Sequence, residues 1–316
     1  MSDIVTRVPF YAAQGIEALE SNFNVREPEI YQTEVTNACN FTCEFCPRDE
    51  PEYRRPPTLL DVGLARTISE RDLGGSYFME FQLAGEPTLH PKLKEIISFF
   101  TGKVLTGMST HGGLIHRNLE ACLALDYLTI SVDSIEDYEK VRPGGKLSQL
   151  LSNIDLLCKA RKDREYPIIE LQLIQFEGVG RQQYLLEELA RKNDWNVNIR
   201  VQPDCFLSVT RDKIKKPSEQ LCLNPWSSVS VQADGDVIPC CFSFGKDVVY
   251  GNLKNQSLKE IWATSPVLQE FRESHLTKQY HDICSKCYMR SPVQLHLSFY
   301  WETFHKRLLD SIRNTK

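Results

Sequence analysis

The stretch "TEVTNACNFTCEFCPRDEP", residues 33–51, places Cys39, Cys43 and Cys46 within eight positions. They stand directly behind "IYQTEV" (30–35), whose apolar and β-branched residues predict a strand. A closed zinc site takes four ligands, so three neighbouring thiols leave it one short. An iron–sulfur cube can take three thiolates and keep its fourth iron open. Zinc completed by a distant His90 or His111 is the alternative, and the spacing after a strand suits it less well.

Outward from this loop, strands and helices alternate. The further strand candidates are "YFMEFQL" (77–83), "KVLTGMS" (103–109), "YLTISV" (127–132), "IIELQLI" (168–174) and "VNIRVQ" (197–202). Between them, "LLDVGLARTISERD", "KLKEIISFF", "NLEACLALD", "LSQLLSNIDLLCKARK" and "QQYLLEELARKN" carry apolar residues at helical spacing. Six such units imply a parallel sheet with right-handed crossovers, a partial (β/α)6 TIM-like barrel of class α/β. Functional residues of such sheets gather at the carboxyl ends of the strands. Cys39, "AGEP" (84–87), "STHGG" (109–113) and "SVDS" (131–134) each follow or close a strand, which predicts one shared rim.

Composition narrows the function classes. The chain is 41% hydrophobic and 25% charged, with net charge −5, pI near 5.9 and mean hydropathy −0.34. That balance argues against a nucleic-acid partner. No apolar run spans a bilayer and the first residues lack a signal-peptide profile, so a cytoplasmic protein without a membrane role is expected. Eleven cysteines in a reducing compartment then point to metal and away from disulfides.

"CNFTCEFC" resembles the C-x3-C-x2-C signature of the radical S-adenosylmethionine (SAM) enzymes. The resemblance implies a [4Fe–4S] cluster on Cys39, Cys43 and Cys46 whose open iron chelates SAM. It implies that an electron cleaves SAM to a 5′-deoxyadenosyl radical, which abstracts hydrogen from an unactivated carbon of the substrate. Other family positions can be matched in turn. Phe45 resembles the residue near the adenine, with a core phenylalanine as the plain alternative. Gly85, Glu86 and Pro87 match the G-G-E-P turn that meets the methionyl amino group, although Ala84 stands where the first glycine is usual. Ser109 opens the turn in which His111 replaces the usual asparagine. Ser131 and Asp133 resemble ribose contacts, and Arg142 resembles a partner for the SAM carboxylate, with a surface ion pair as its alternative.

Beyond the polar linker "RDKIKKPSEQ" (211–220), alternating runs around Asp234–Gly235 predict a β-hairpin, then a helical segment interrupted near Pro266. Cys222 and Cys240 are followed by the pair Cys284 and Cys287, for which a structural zinc ribbon is one reading. The pattern C-x12-G-x4-C with a later C-x2-C also resembles the SPASM/twitch auxiliary-cluster domain. The absence of the longer form's last three cysteines implies one auxiliary [4Fe–4S] cluster on these four. Expected boundaries are a lead-in (1–28), the barrel (29–210), a small α+β auxiliary domain (211–290) and a C-terminal helix (291–316).

Of the remaining cysteines, Cys122 and Cys158 are expected as buried hydrophobes and Cys205 on the last barrel strand. Cys241 is expected to point away from its neighbour Cys240 if the strand alternates. It is either structural or a hydrogen donor to a substrate radical. The resemblance implies a ribosomal peptide substrate first, and an aminocyclitol or sugar dehydrogenase or epimerase second. Only about 28 residues precede the first strand, so a leader-binding domain is expected as a separate protein if at all. A flavodoxin or ferredoxin is the implied reductant. A non-enzymatic iron–sulfur or zinc protein is the remaining class, and a SAM pocket would distinguish the enzyme from it.

Overall fold

The computed structural model describes residues 28–202 and 217–290, apart from positions 44, 52, 77, 176, 246, 288 and 289. The lead-in, most of the polar linker, Cys205 and the expected C-terminal helix lie outside the described residues. Six parallel strands form the barrel wall: β1 (Glu29–Thr33), β2 (Phe78–Glu80), β3 (Leu105–Thr110), β4 (Tyr127–Ser131), β5 (Ile168–Ile174) and β6 (Asn198–Gln202). They pair in sequence order, β1 to β6. The helices between them are α1 (Val62–Thr67), α2 (Leu93–Phe100), α3 (Leu119–Leu123), α4 (Leu147–Arg161) and α5 (Val179–Lys192). Each coincides with a segment of helical periodicity in the sequence.

The packing follows the two periods. In β5, Ile169, Leu171 and Leu173 are buried in the main hydrophobic core, while Gln172 and Ile174 face the barrel interior. In α2, Leu93, Ile96, Ile97 and Phe100 form one buried stripe. Asp61 caps α1 by accepting from Leu64 N at 2.9 Å. Strand β1 stops at Thr33, short of the expected Val35, because Val35 O accepts from Leu60 N at 2.9 Å and joins a loop.

The C-terminal part does not start a sheet of its own. Strand β7 (Ser228–Val231) pairs in parallel with β1, with Ile30 opposite Val229 and Thr33 opposite Val231. The expected hairpin follows as β8 (Asp236–Ile238), and an unforeseen short strand β9 (Gly251–Asn252) completes a nine-stranded sheet. Side chains reinforce the join. Buried Glu34 pairs with Arg55 at 2.5 Å and accepts from Ala233 N at 3.0 Å. Arg71 donates to the carbonyls of Leu253 and Gln256. Helices α6 (Leu258–Thr264) and α7 (Pro266–Leu276) break at Ser265, whose hydroxyl caps α7 through Leu268 N. Among the described residues, no helix is long and apolar enough to cross a membrane.

Candidate functional site

The first thiol loop is held from both sides. Thr36 and Asn37 bond the chain at Pro56 and Thr58, over 2.7–2.9 Å. On the other side sits Gly85, with φ of +100°. A Cβ there would lie 2.4 Å from Thr36 O and 2.7 Å from Ala38 O, so only glycine fits. Glu86 N then donates to Ala38 O at 2.8 Å, next to Cys39. The neighbouring Ala84 is not among the described residues of positive φ, which explains why alanine is tolerated where the family has glycine. Within the loop, Cys46 N donates to Cys43 O at 3.0 Å and closes the C-x2-C turn.

Glu86 braces the rim. Its carboxylate accepts from Thr88, from Thr110 Oγ1 at 2.6 Å and from His111 N at 2.9 Å, tying the end of β3 to the turn. His111 stacks on Phe41 with ring centroids 3.7 Å apart. Its Nδ1 accepts from Gly113 N, so the proton belongs on Nε2, which donates to Asn40 Oδ1 at 2.9 Å. Burial holds this imidazole below its ordinary range. His90 is satisfied in the same way by Lys92 N and Leu60 O. Both nitrogens of each ring are engaged, so neither histidine serves as a fourth ligand for the first thiols. Pro87 opens a single buried turn and does not line the cavity.

Arg142 is buried beside the same thiols, not paired at the surface. Nη2 bonds Asp133, and Nη1 lies 3.8 Å from Cys43 Sγ. The guanidinium stands 5.3 Å from the Phe45 ring centroid, and Nε is buried without a partner. Asp133 adopts φ of +62° and also accepts from Ile174 N at 2.9 Å. It faces Arg142 and is absent from the cavity wall, so its place is behind the arginine. The "RPGG" segment closes on the loop through Thr42 N to Pro143 O at 3.0 Å. Ser109 donates to Glu80 at 2.7 Å, and Ser131 lines the cavity at the end of β4.

The second thiols come from three segments. Cys222 precedes β7, Cys240 follows β8, and Cys284 and Cys287 share a turn closed by Cys287 N to Cys284 O at 3.1 Å. Gly235, with φ of +92°, forms the hairpin turn between the first two. Burial raises the thiol of Cys240, with Cys241, Cys284 and Cys222 adding to it. Burial raises Cys284 too, with Cys222 and Cys287 adding. Burial likewise pushes Cys39 up to about 11. Thiols so placed ionise only against bound positive charge. Among the described residues no three His, Cys, Asp or Glu side chains converge tightly enough for a single metal ion. Four thiolates on one cavity wall are the donor set that a fully ligated iron–sulfur cube takes.

The expected alternation fails at Cys241. β8 ends at Ile238, and the chain turns through Ser243 N to Cys240 O, so Cys240 and Cys241 both line the cavity. Cys241 N donates to Tyr31 Oη at 3.2 Å. Cys122 is wholly buried, and Cys158 packs on the main core; neither reaches the cavity.

One cavity of about 370 Å³ joins both thiol sets. Its barrel side presents Gln32, Glu80, Ser109, Ser131, Gln172 and Arg200. Arg200 is set by Glu170 at 2.6 Å and Gln172 at 3.0 Å, and Gln32 donates to Glu80 at 3.0 Å. Sequence reasoning passed over these four lining residues of β1, β2, β5 and β6. The available signal was polar side chains at alternate positions of strands buried on both faces.

Two family models match the chain: the radical SAM superfamily over residues 33–170 and SPASM, an iron-sulfur cluster-binding domain, over residues 222–288. In sequence it is similar to the S-adenosyl-L-methionine-dependent 2-deoxy-scyllo-inosamine dehydrogenase of Niallia circulans, 21% identical over 263 residues, 81% of this chain and 91% of that one. In structure it is similar to BtrN in complex with AdoMet and 2-DOIA, with a TM-score of 0.53, 17% identity, and cover of 84% of this chain and 97% of that one. It is also similar to Streptococcus suis SuiB bound to precursor peptide SuiA, with a TM-score of 0.62, 13% identity, and cover of 87% and 74%. At such identities the structural likeness shows the fold. The chain belongs to the radical SAM superfamily, as an enzyme whose cofactors are SAM and a [4Fe–4S] cluster and whose C-terminal SPASM domain binds iron–sulfur.

Proposed function

We propose that this enzyme removes hydrogen from an unactivated carbon of a ribosomal peptide and oxidises it with the help of a second cluster. In this reading Cys39, Cys43 and Cys46 hold the SAM-binding cube, and Cys222, Cys240, Cys284 and Cys287 hold a fully ligated one. The observation that carries it is the single cavity touched by all seven of these thiols. When bound, the cofactors supply a 5′-deoxyadenosyl radical and an electron acceptor.

The chain's own residues bind and orient. The Gly85–Glu86 turn offers backbone for the methionyl amino group, with Pro87 fixing its exit. Arg142, held by Asp133, presents a cation beside Cys43 for the SAM carboxylate. Phe45 is placed for the adenine and Ser131 for the ribose, while Ser109 acts through Glu80. The peptide class is supported by the resemblance to peptide-modifying members and by the fold shared with SuiB. A separate leader-binding protein and a flavodoxin or ferredoxin complete the proposed partners.

A second reading is the oxidation or epimerisation of an aminocyclitol or sugar. The polar barrel floor favours it, since amides, hydroxyls and paired charges suit a polyhydroxylated ring. So does the extent of the Niallia circulans match. Cys241, on the cavity wall, is then the hydrogen donor an epimerase needs. The decisive experiment is anaerobic reconstitution with iron and sulfide counting, then product analysis with candidate precursor peptides and with aminocyclitols. About eight irons per chain and SAM-dependent mass loss of a peptide support the first reading. About four irons, with zinc making up the difference, overturns the role given to the second thiols. Turnover of the cyclitol alone ends the peptide reading.

A further inference from the structure

Arg290 lies three residues beyond Cys287 and folds back over the second thiols. Its Nη1 donates to Cys284 O and its Nη2 to Ser218 O. Ser218 answers twice: its N–H donates to Cys287 O at 3.1 Å and its hydroxyl to Arg290 O at 2.7 Å. The guanidinium stacks over Tyr280, 4.0 Å from the ring centroid. The residue is 7% exposed and lines the cavity together with Cys222, Cys284 and Cys287.

Arg161 and Arg272 also donate to backbone carbonyls, but they do not line the cavity, whereas Arg290 does. Arg55, Arg142 and Arg200 each face a carboxylate. Among the described residues, Arg290 donates to two neutral carbonyls and no carboxylate pairs with it. Its Nε is buried and has no partner. A buried cation left uncompensated costs several kcal/mol, and so does a buried donor without an acceptor in smaller measure. The fold retains both on the cavity wall that the four thiols share. A cube with four thiolates carries net negative charge, and its sulfurs accept hydrogen bonds, so it satisfies both deficits at once.

We infer that Arg290 is a positioning and tuning residue for the second cluster: its fork fixes the Cys284–Cys287 turn, and its charge and Nε–H favour the reduced cluster. The inference rests on the cluster reading of the second thiols. Its sign follows from charge, because reduction adds one negative charge beside a fixed positive one and the potential rises. The electron concerned is the one a substrate radical gives up after hydrogen abstraction. The accompanying proton passes to water, so the substrate loses two hydrogens overall, one as an atom and one as electron plus proton.

The test is a redox titration of the reconstituted full chain, followed by electron paramagnetic resonance, with no substrate required. In Arg290→Gln the second cluster should hold a roughly tenfold lower reduced-to-oxidised ratio at fixed poise, about 59 mV for one electron. The first cluster should not move. Arg290→Lys keeps the charge, so its midpoint should return most of the way to that of the unmodified protein. An unchanged midpoint in a fully loaded Arg290→Gln overturns the inference, as do equal shifts in both variants. Loss of the second cluster's iron from both variants overturns the tuning role and leaves a purely structural clamp. About four irons in the unmodified protein is a different failure, since it removes the second cluster itself.

Discussion

The two thiol sets bring sulfur to one cavity from opposite starting points. The first draws three thiols from eight consecutive residues, and the fold has only to shape one loop. Gly85, Glu86, His111 and the "RPGG" segment all press on that loop from other strand ends. The second draws four thiols from three segments that meet only after β7 has paired with β1 and α7 has packed behind it. A local set is therefore robust to the rest of the fold, whereas a dispersed set reports on it. The same contrast appears in charge. The cation beside the first set is paired with Asp133, and among the described residues the one beside the second donates to carbonyls.

The comparison can be broken most sharply at the cysteines. Cys43→Ala should reduce formation of 5′-deoxyadenosine to background, measured by chromatography under reducing conditions. Cleavage at the unmodified rate would remove the first set from SAM chemistry. Cys284→Ala should lower iron from about eight to about four per chain while some cleavage uncoupled from substrate persists. Retention of all the iron would show that the second set is not as assigned.

Next in size are the braces of the first loop. Asp133→Ala leaves Arg142 buried without its anion and should cost about 3–5 kcal/mol of stability, read by chemical denaturation. Affinity for SAM should fall with it, because the guanidinium loses its anchor. A cost below about 1 kcal/mol would mean that Arg142 is neutralised elsewhere. Gly85→Ala forces a side chain into left-handed backbone and against two carbonyls, so about 1–3 kcal/mol or more should be lost. Unchanged stability and SAM binding would show that the turn does not set the loop.

The smallest effect is a pH dependence remote from either set. Burial lowers the pKa of His90 in the folded chain, while the unfolded ring keeps its value near 6.5. Below that value the unfolded state binds a proton that the folded state refuses, so stability falls as pH falls. Tm should therefore drop more steeply between pH 7 and about 5.5 in the unmodified protein than in His90→Gln. Parallel slopes would show that another group carries the dependence.

Much of this was legible because it is local. The strand over 168–174 matches residue for residue, and the break at Pro266 appears where proline and the Ser265 cap demand it. The radical SAM match covers the first thiols and their following strand ends, whose order is written in the chain. Less legible were the roles of individual side chains. Nothing in "SVDS" says that Asp133 turns to Arg142, nor does "IPCCF" say that two adjacent cysteines can line the same wall.

The sequence alone determined the six barrel strands and the helices between them, the side of the sheet on which the loops gather, and the grouping of thiols into an N-terminal and a C-terminal set. Hydrophobic period, turn residues and cysteine spacing are short-range properties, so they survive without coordinates. Only the tertiary structure decided that β7 lies against β1, where Ser230 meets Gln32 across 198 residues of sequence. It alone decided that both thiol sets open on one cavity with a polar floor. Those outcomes depend on which buried edges find each other, a long-range balance of burial and pairing that no short window of residues encodes.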